Sequence, residues 1–365
     1  MMRPSNQAAA HASHAAHGPT VRAARWPFVW GCMCLMISAH SFAAAPPAGT
    51  AAAQGGAAAG AAAPASAGSQ VLDEIAVVGE RPGPRLWKIS KGDHVLWLLG
   101  TLTHIPRRMT WRSSEVETAL AGSQEMLDSG VSVSAGIGPI GAVKLYFQWR
   151  HIEKNPGHTE LRSWVPAPLY ARFEAVKANF DNGDRGIEEL RPSLAALRLY
   201  DKAVDAAGLT ERDNVEQEVE RLAKKQHVPV RKPKLQVNDP SGALKEIGDL
   251  PPSLEVECLE ATVTRIETDL QNMQQRAVAW SVGDIERLRS LTFSNQRDVC
   301  VTAISNSPRM KALFDTAQQA WMDEAEASLI RNRVTFAMRP IYDLLDPNGP
   351  LARFRAEGYR IDGPG

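Results

Sequence analysis

Apolar and β-branched positions cluster in Leu86-Trp87-Lys88-Ile89-Ser90 and again in His94–Leu99, with Lys91-Gly92-Asp93 between them. That pattern predicts a β-hairpin with Gly and Asp at its corner. Upstream, Val71–Gly79 (VLDEIAVVG) reads as a strand that breaks at Arg81-Pro82-Gly83-Pro84. Downstream, Ser113 or Ser114 caps a helix reaching about Ala121, with Glu115 and Glu117 placed to favour its dipole. Ser113-Ser114 with Glu117 has the form of a capping box. Met126–Ser134 follows as a short strand, and this β-β-α-β opening predicts a mixed α/β domain.

The period then becomes helical. Helices are expected over Ala142–Trp149, Pro168–Phe180, Ile187–Ala207 (interrupted near Pro192) and Glu211–Gln226, before Val228-Pro229-Val230 restarts an extended segment. In Leu254–Arg276 the residues Leu259, Val263, Ile266, Leu270 and Met273 alternate steps of four and three, the seam of an antiparallel helix pair. Such a stripe is core and carries no chemistry. Tyr146, Phe147 and Trp149 are read the same way, as helix–helix core, with a ligand groove as the alternative. Val334–Met338 is a late strand, and Leu351–Glu357 a last helix stopped by Gly358, a usual C′ residue. The expected fold is α/β (α+β): a mixed β-sheet core with flanking helices and a large helical insertion at about 142–276.

Composition changes at the N-terminal side. Arg3, Arg22 and Arg25 precede or flank a mostly apolar run, Trp26 to Phe42, and Ala43-Ala44-Ala45 suits a small-residue cleavage site. Residues 1–45 therefore read as a secretory signal, the run being short of the ~20 residues a spanning helix needs. Residues 46–70 are nearly all Ala, Gly, Pro, Ser and Gln and read as a disordered linker, leaving 71–365 as the folded domain. The expected location is periplasmic or secreted, with no stable membrane span once the signal is removed. Cleavage would take away three of the 41 basic residues and none of the 41 acidic ones, so no basic field for nucleic acid remains. Cys258 and Cys300 also remain, an even pair whose spacing fits no zinc pattern; a disulfide is favoured over two buried thiols.

Few segments carry chemistry by themselves. His94 and His104 flank one strand but are too far apart to share a metal without help, and read as surface or satisfied histidines. No Gly-x-Ser-x-Gly elbow occurs, and Gly130 to Gly141 lacks phosphate-loop spacing. The informative stretch is Leu98-Leu99-Gly100-Thr101-Leu102-Thr103-His104-Ile105-Pro106. A Gly-Thr-x-His turn at a strand end can aim an imidazole at a metal or substrate; here Thr103 sits at that place and the histidine comes one residue later. Because successive strand side chains face opposite ways, His104 should point away from whatever Thr103 faces.

The LWKIS strand, the LLGT turn with Pro106, Trp111 and Val116-Glu117 after it, Ala279-Trp280-Ser281-Val282-Gly283-Asp284, Arg331-Asn332, and Gly349…Gly358-Tyr359-Arg360-Ile361 occur in an order that resembles the TraB/GumN family, which includes the Tiki-type metalloproteases. The resemblance covers most of Leu86–Ile361. It implies a mixed α/β fold with a helical insertion and, in the Tiki-like members, a metal-dependent peptidase using two Gly-x-x-His motifs and strand-end glutamates. Position by position, the first family histidine falls on Thr103, the two glutamates on Asp128 and Lys234, and the second histidine on Asp343, with its glycine on Pro340. None of the four identities is kept. Thr103 is a poor ligand, and Lys234 puts a cation where a carboxylate should help hold one. The expectation is a degenerate site with no catalytic or metal-ligating residues and no cofactor. Either the Lys234 ammonium fills the vacated metal position between Asp128 and Asp343, or it belongs to a solvated basic turn, Arg231-Lys232-Pro233-Lys234. The expected role is an exported, non-catalytic protein that binds a peptide, polymer or partner protein. The alternative is a divergent hydrolase remodelled around Asp128, Asp343 and His104.

Overall fold

The protein is described here from a computed structural model covering residues 83–180, 185–211, 214–291, 300 and 307–364. The expected signal, linker and Val71–Gly79 strand lie outside the described residues. The hairpin forms as β1 (Leu86–Lys91) and β2 (His94–Thr101), with Lys91 opposite His94 and Gly92 at φ +63°, a left-handed corner suited to glycine. After a two-residue strand β3 (Ile105–Pro106) comes α1 (Ser114–Ala121). Its N-cap is Ser113, whose hydroxyl donates to the Glu117 carboxylate and makes no backbone cap bond, so the expected capping box is absent. The cap one residue earlier puts Glu117 beyond the N3 position that a box requires.

The predicted strand over Met126–Ser134 is two strands, β4 (Glu125–Leu127) and β5 (Ser132–Ser134), parted by Asp128–Val131. Then follow α2 (Pro139–Ile152), α3 (Ala167–Phe180), α4 (Pro192–Ala206), β6 (Leu209–Thr210), α5 (Val215–Lys225), β7 (Val230–Arg231), β8 (Lys234–Gln236), α6 (Pro240–Gly248) and the 30-residue α7 (Pro252–Ser281). The chain closes with α8 (Ile285–Ser290), α9 (Pro308–Arg331), β9 (Val334–Pro340), α10 (Ile341–Leu345), α11 (Pro350–Ala356) and β10 (Arg360–Asp362). Gly358 takes φ +81° just past α11, as its position after that helix predicts.

Six strands form one sheet in the order β10-β1-β2-β9-β4-β7. The β10, β1 and β2 neighbours are antiparallel, whereas β2, β9, β4 and β7 run parallel. Central β9 is buried along Thr335–Met338, as a strand covered on both faces must be. The parallel strands all end on one side, and side chains from such ends converge there.

The core has two main parts. Leu96, Leu98, Leu99, Met126, Phe336, Trp280 and Trp321 belong to the sheet core, and Leu161, Phe173, Leu199, Leu259, Val263 and Ile266 to a helical core. Helix α7 supplies both, Leu259 and Val263 near its start and Ala277 and Trp280 near its end. Its apolar stripe is core as expected, but the partner runs the other way from the prediction. Contacts advance together along α4 and α7, from Ser193 with Glu255 to Tyr200 with Met273 and Ala207 with Gln274, so the pair is parallel. The Cys258 and Cys300 sulfurs lie 2.03 Å apart, forming a disulfide on the helical core. Among the described residues no helix is long and apolar enough to cross a membrane.

Two segments that carried the resemblance lock together physically. The Trp280 indole donates to the Gly100 carbonyl at 2.6 Å and stands edge-to-face on Trp111 at 5.3 Å. A Cβ on Gly100 would lie 2.2 Å from the Ile341 side chain, so the turn packs directly on α10.

Candidate functional site

The site sits where β2, β4, β9 and β7 end. Thr101, the last residue of β2, is buried, and its hydroxyl donates to Glu216 Oε1 at 2.8 Å. Two residues on, Thr103 is half-buried in the link to β3. His104 lies past the end of β2, outside any strand, so strand alternation does not apply to it; its Nε2 lies 2.7 Å from Glu211 Oε1, and its ring meets Tyr200 edge-on at 5.5 Å. His94, near the other end of β2, has Nδ1 2.7 Å from the Asn332 carbonyl. The two histidines are satisfied separately.

Asp128 follows β4 directly. Its backbone N–H continues the ladder to the Arg231 carbonyl at 2.9 Å, and its carbonyl accepts from the Trp321 indole at 2.9 Å. The carboxylate is buried, accepts from the Gly130 N–H at 2.9 Å, and lies 3.1 Å from Lys232 Nζ. Lys232 also reaches Glu220 Oε1 at 2.7 Å. Burial, then a shared hydrogen bond with Glu220, pushes the Asp128 carboxyl up to about 6, against the opposing pull of Gly130 and Lys232. Glu220, despite its partial burial, is held below its ordinary range by Asp128 and Lys232.

Asp343 lies in the first turn of α10 and is buried. Arg339, near the end of β9, brings Nε to 2.6 Å from Asp343 Oδ2. This is a close ion pair by distance, although the Nε–H bond does not point along it. The same guanidinium donates from Nη1 to the Ser129 carbonyl at 3.2 Å and lies over the Trp321 ring at 5.0 Å. Ser129 in turn donates its hydroxyl to Glu216 Oε1 at 2.7 Å, the oxygen that Thr101 already uses. Thr101, Ser129, Glu216, Arg339 and Asp343 are thus tied into one network across three strand ends.

Lys234 is elsewhere in character. It opens β8, which pairs with β5 in a separate two-stranded sheet, and it is exposed opposite Ser132. The cations beside the two aspartates come instead from Lys232, two residues earlier, and from Arg339. Sequence reasoning also missed Glu216 and Glu220. The usable signals were the i, i+4 spacings Glu216/Glu220 and Arg339/Asp343, each of which sets two charges on one helical face or turn.

The chemistry this arrangement offers is internal. Two buried carboxylates have a cation each, and two hydroxyls are spent on Glu216. Among the described residues no group of three or more His, Cys, Asp or Glu is placed to hold a metal ion. A cavity of about 990 Å³ opens elsewhere, beside Arg85, Trp97, Glu115 and Asp284, and neither Asp128 nor Asp343 lines it.

Residues 85–362 match the sequence model of the TraB/PrgY/gumN family. The chain matches no curated protein and no solved structure.

Proposed function

The chain belongs to the TraB/PrgY/gumN family, and from that premise we propose that it is an exported, non-catalytic member that acts by binding a peptide, polymer or partner protein. One observation carries the reading: the carboxylates at two family ligand positions, Asp128 and Asp343, are neutralised by the chain's own Lys232 and Arg339. A divalent ion placed between them would meet an ammonium and a guanidinium at contact distance. Each such repulsion costs about 4 kcal/mol per unit charge at ~4 Å and an effective dielectric near 20. The side chains at the other two positions supply neither imidazole nor carboxylate, Thr103 being a hydroxyl and Lys234 an exposed cation.

The test is metal analysis and peptidase assay of the purified processed protein, with zinc, manganese or cobalt added. The expected result is no stoichiometric metal and no metal-dependent cleavage, in the wild type and in Thr103→Ala and His104→Ala alike. Metal-dependent cleavage that disappears in Asp128→Ala would replace this reading with a divergent hydrolase.

A further inference from the structure

Helix α2 turns an apolar face outward. Ile140 is 86 % exposed, Phe147 65 % and Val143 50 %, and steps of three and four place them along one face. Tyr146 stands edge-to-face with Phe147 at 5.5 Å and is itself exposed. The expected helix–helix core around Tyr146 and Phe147 is therefore not formed: no residue of this helix is buried. The other exposed large apolar side chains among the described residues, Val230, Val278 and Ile330, lie singly on separate elements. The covered side of α2 is apolar too, with Leu145, Trp149 and Ile152 half-buried. Gln148 donates to the Ser241 carbonyl at 2.7 Å and accepts from the Ser241 hydroxyl at 2.6 Å, and Ile152 packs where Gly248 leaves room on α6. A surface helix needs only its core-facing stripe to be apolar, so Ile140, Val143 and Phe147 are apolar side chains beyond what packing on the body uses. A contiguous apolar patch left in water marks an interaction surface.

Shape and charge select the occupant. The patch is the convex face of a helix, whereas sites for small ligands are concave. Lys144, Arg150 and His151 are exposed on α2, and Pro139–Ile152 contains no carboxylate; Glu153, just past its end, is paired with Arg150. The midpoint of the stripe falls at Val143-Lys144. A two-fold contact with a second copy would set Lys144 against its own counterpart. An anionic lipid surface fits both features. Ile140, Val143 and Phe147 can enter the headgroup boundary, with Tyr146 at its edge, while the Lys144 stem lies along the apolar surface and its ammonium meets headgroup phosphates. We propose that α2 is an interfacial helix that seats the protein on an anionic bilayer.

Flotation with vesicles of phosphatidylcholine, alone or mixed with phosphatidylglycerol, tests this. The wild type is compared with the triple variant Ile140→Ser, Val143→Ser, Phe147→Ser and with Lys144→Gln. Any contribution of the N-terminal region is common to all three proteins. The wild type should bind the phosphatidylglycerol vesicles, and the triple variant should bind them at least about tenfold more weakly. Lys144→Gln should lose about fivefold on anionic vesicles and change little on neutral ones. Since the altered side chains are exposed, circular dichroism and melting should stay as in the wild type. Equal flotation of wild type and triple variant, or no wild-type binding, overturns the proposal. So does light scattering that shows a wild-type dimer, made monomeric by the triple variant, without vesicle binding.

Discussion

At the scale of single residues, Arg339 and Asp343 hold each other's charge inside the protein. Arg339→Met would leave the Asp343 carboxylate buried beside an apolar side chain, and breaking one half of such a pair costs about 3–5 kcal/mol. Asp343→Asn in the same background removes the stranded charge and should recover most of that loss. Urea midpoints of the two variants check the order, and equal midpoints would show that the pair does not stabilise through charge. Asp128 gives a second residue-scale expectation. Its carboxyl is raised from 3.8 to about 6, chiefly by burial. The folded protein therefore keeps a proton that the unfolded chain releases, and stability falls as pH rises from about 4 to about 6. Glu220, shifted downward, works in the opposite sense at lower pH, where stability is lost as pH falls through its folded value. Asp128→Asn should flatten the pH 4–6 limb of a urea-midpoint profile.

The site was partly legible at this scale. Aligned motifs located Asp128 and Asp343, which the fold does bury at neighbouring strand ends, and His104 is satisfied by Glu211, as a histidine outside the site. The origin of the neutralising cations was not legible, because Lys232 and Lys234 differ by two residues in one basic turn. Only the pairing of β7 with β4 and of β8 with β5 separates their destinations.

Among the elements, periodicity located helices better than it located their neighbours. The α7 stripe is core as its spacing predicts, yet its partner α4 is parallel, a direction that the intervening β6, α5, β7, β8 and α6 make possible and that spacing along one helix cannot encode. The aromatic run of α2 misled because composition reports apolarity without saying which side is covered. The disulfide was legible from the even pair of cysteines together with the expectation of export, and it ties α7 to a position 42 residues further on. Closing a loop of that size contributes about 4 kcal/mol in the chain-entropy picture. Cys258→Ser with Cys300→Ser should lower the melting temperature by several degrees, and reductant should lower the wild type to match while leaving the double variant unmoved.

Across the whole molecule, the sequence motifs identify the fold because they are the pieces that touch. Trp280 meets Gly100 across 180 residues, and β9 inserts between β2 and β4 although it comes last of the three. No local pattern shows such insertion; it follows from how the parallel strands are joined. The pairing of β1 with β10 has a consequence of its own, since Lys88 lies opposite Asp362 and the first and last strands among the described residues share one edge of the sheet. A circular permutant of residues 83–364, joined there by a short glycine link and opened in the exposed turn Pro156–Glu160, should fold and melt close to the uncut body. Its circular dichroism melt checks that directly. The order in which the ribosome delivers these strands would then be separable from the arrangement they adopt.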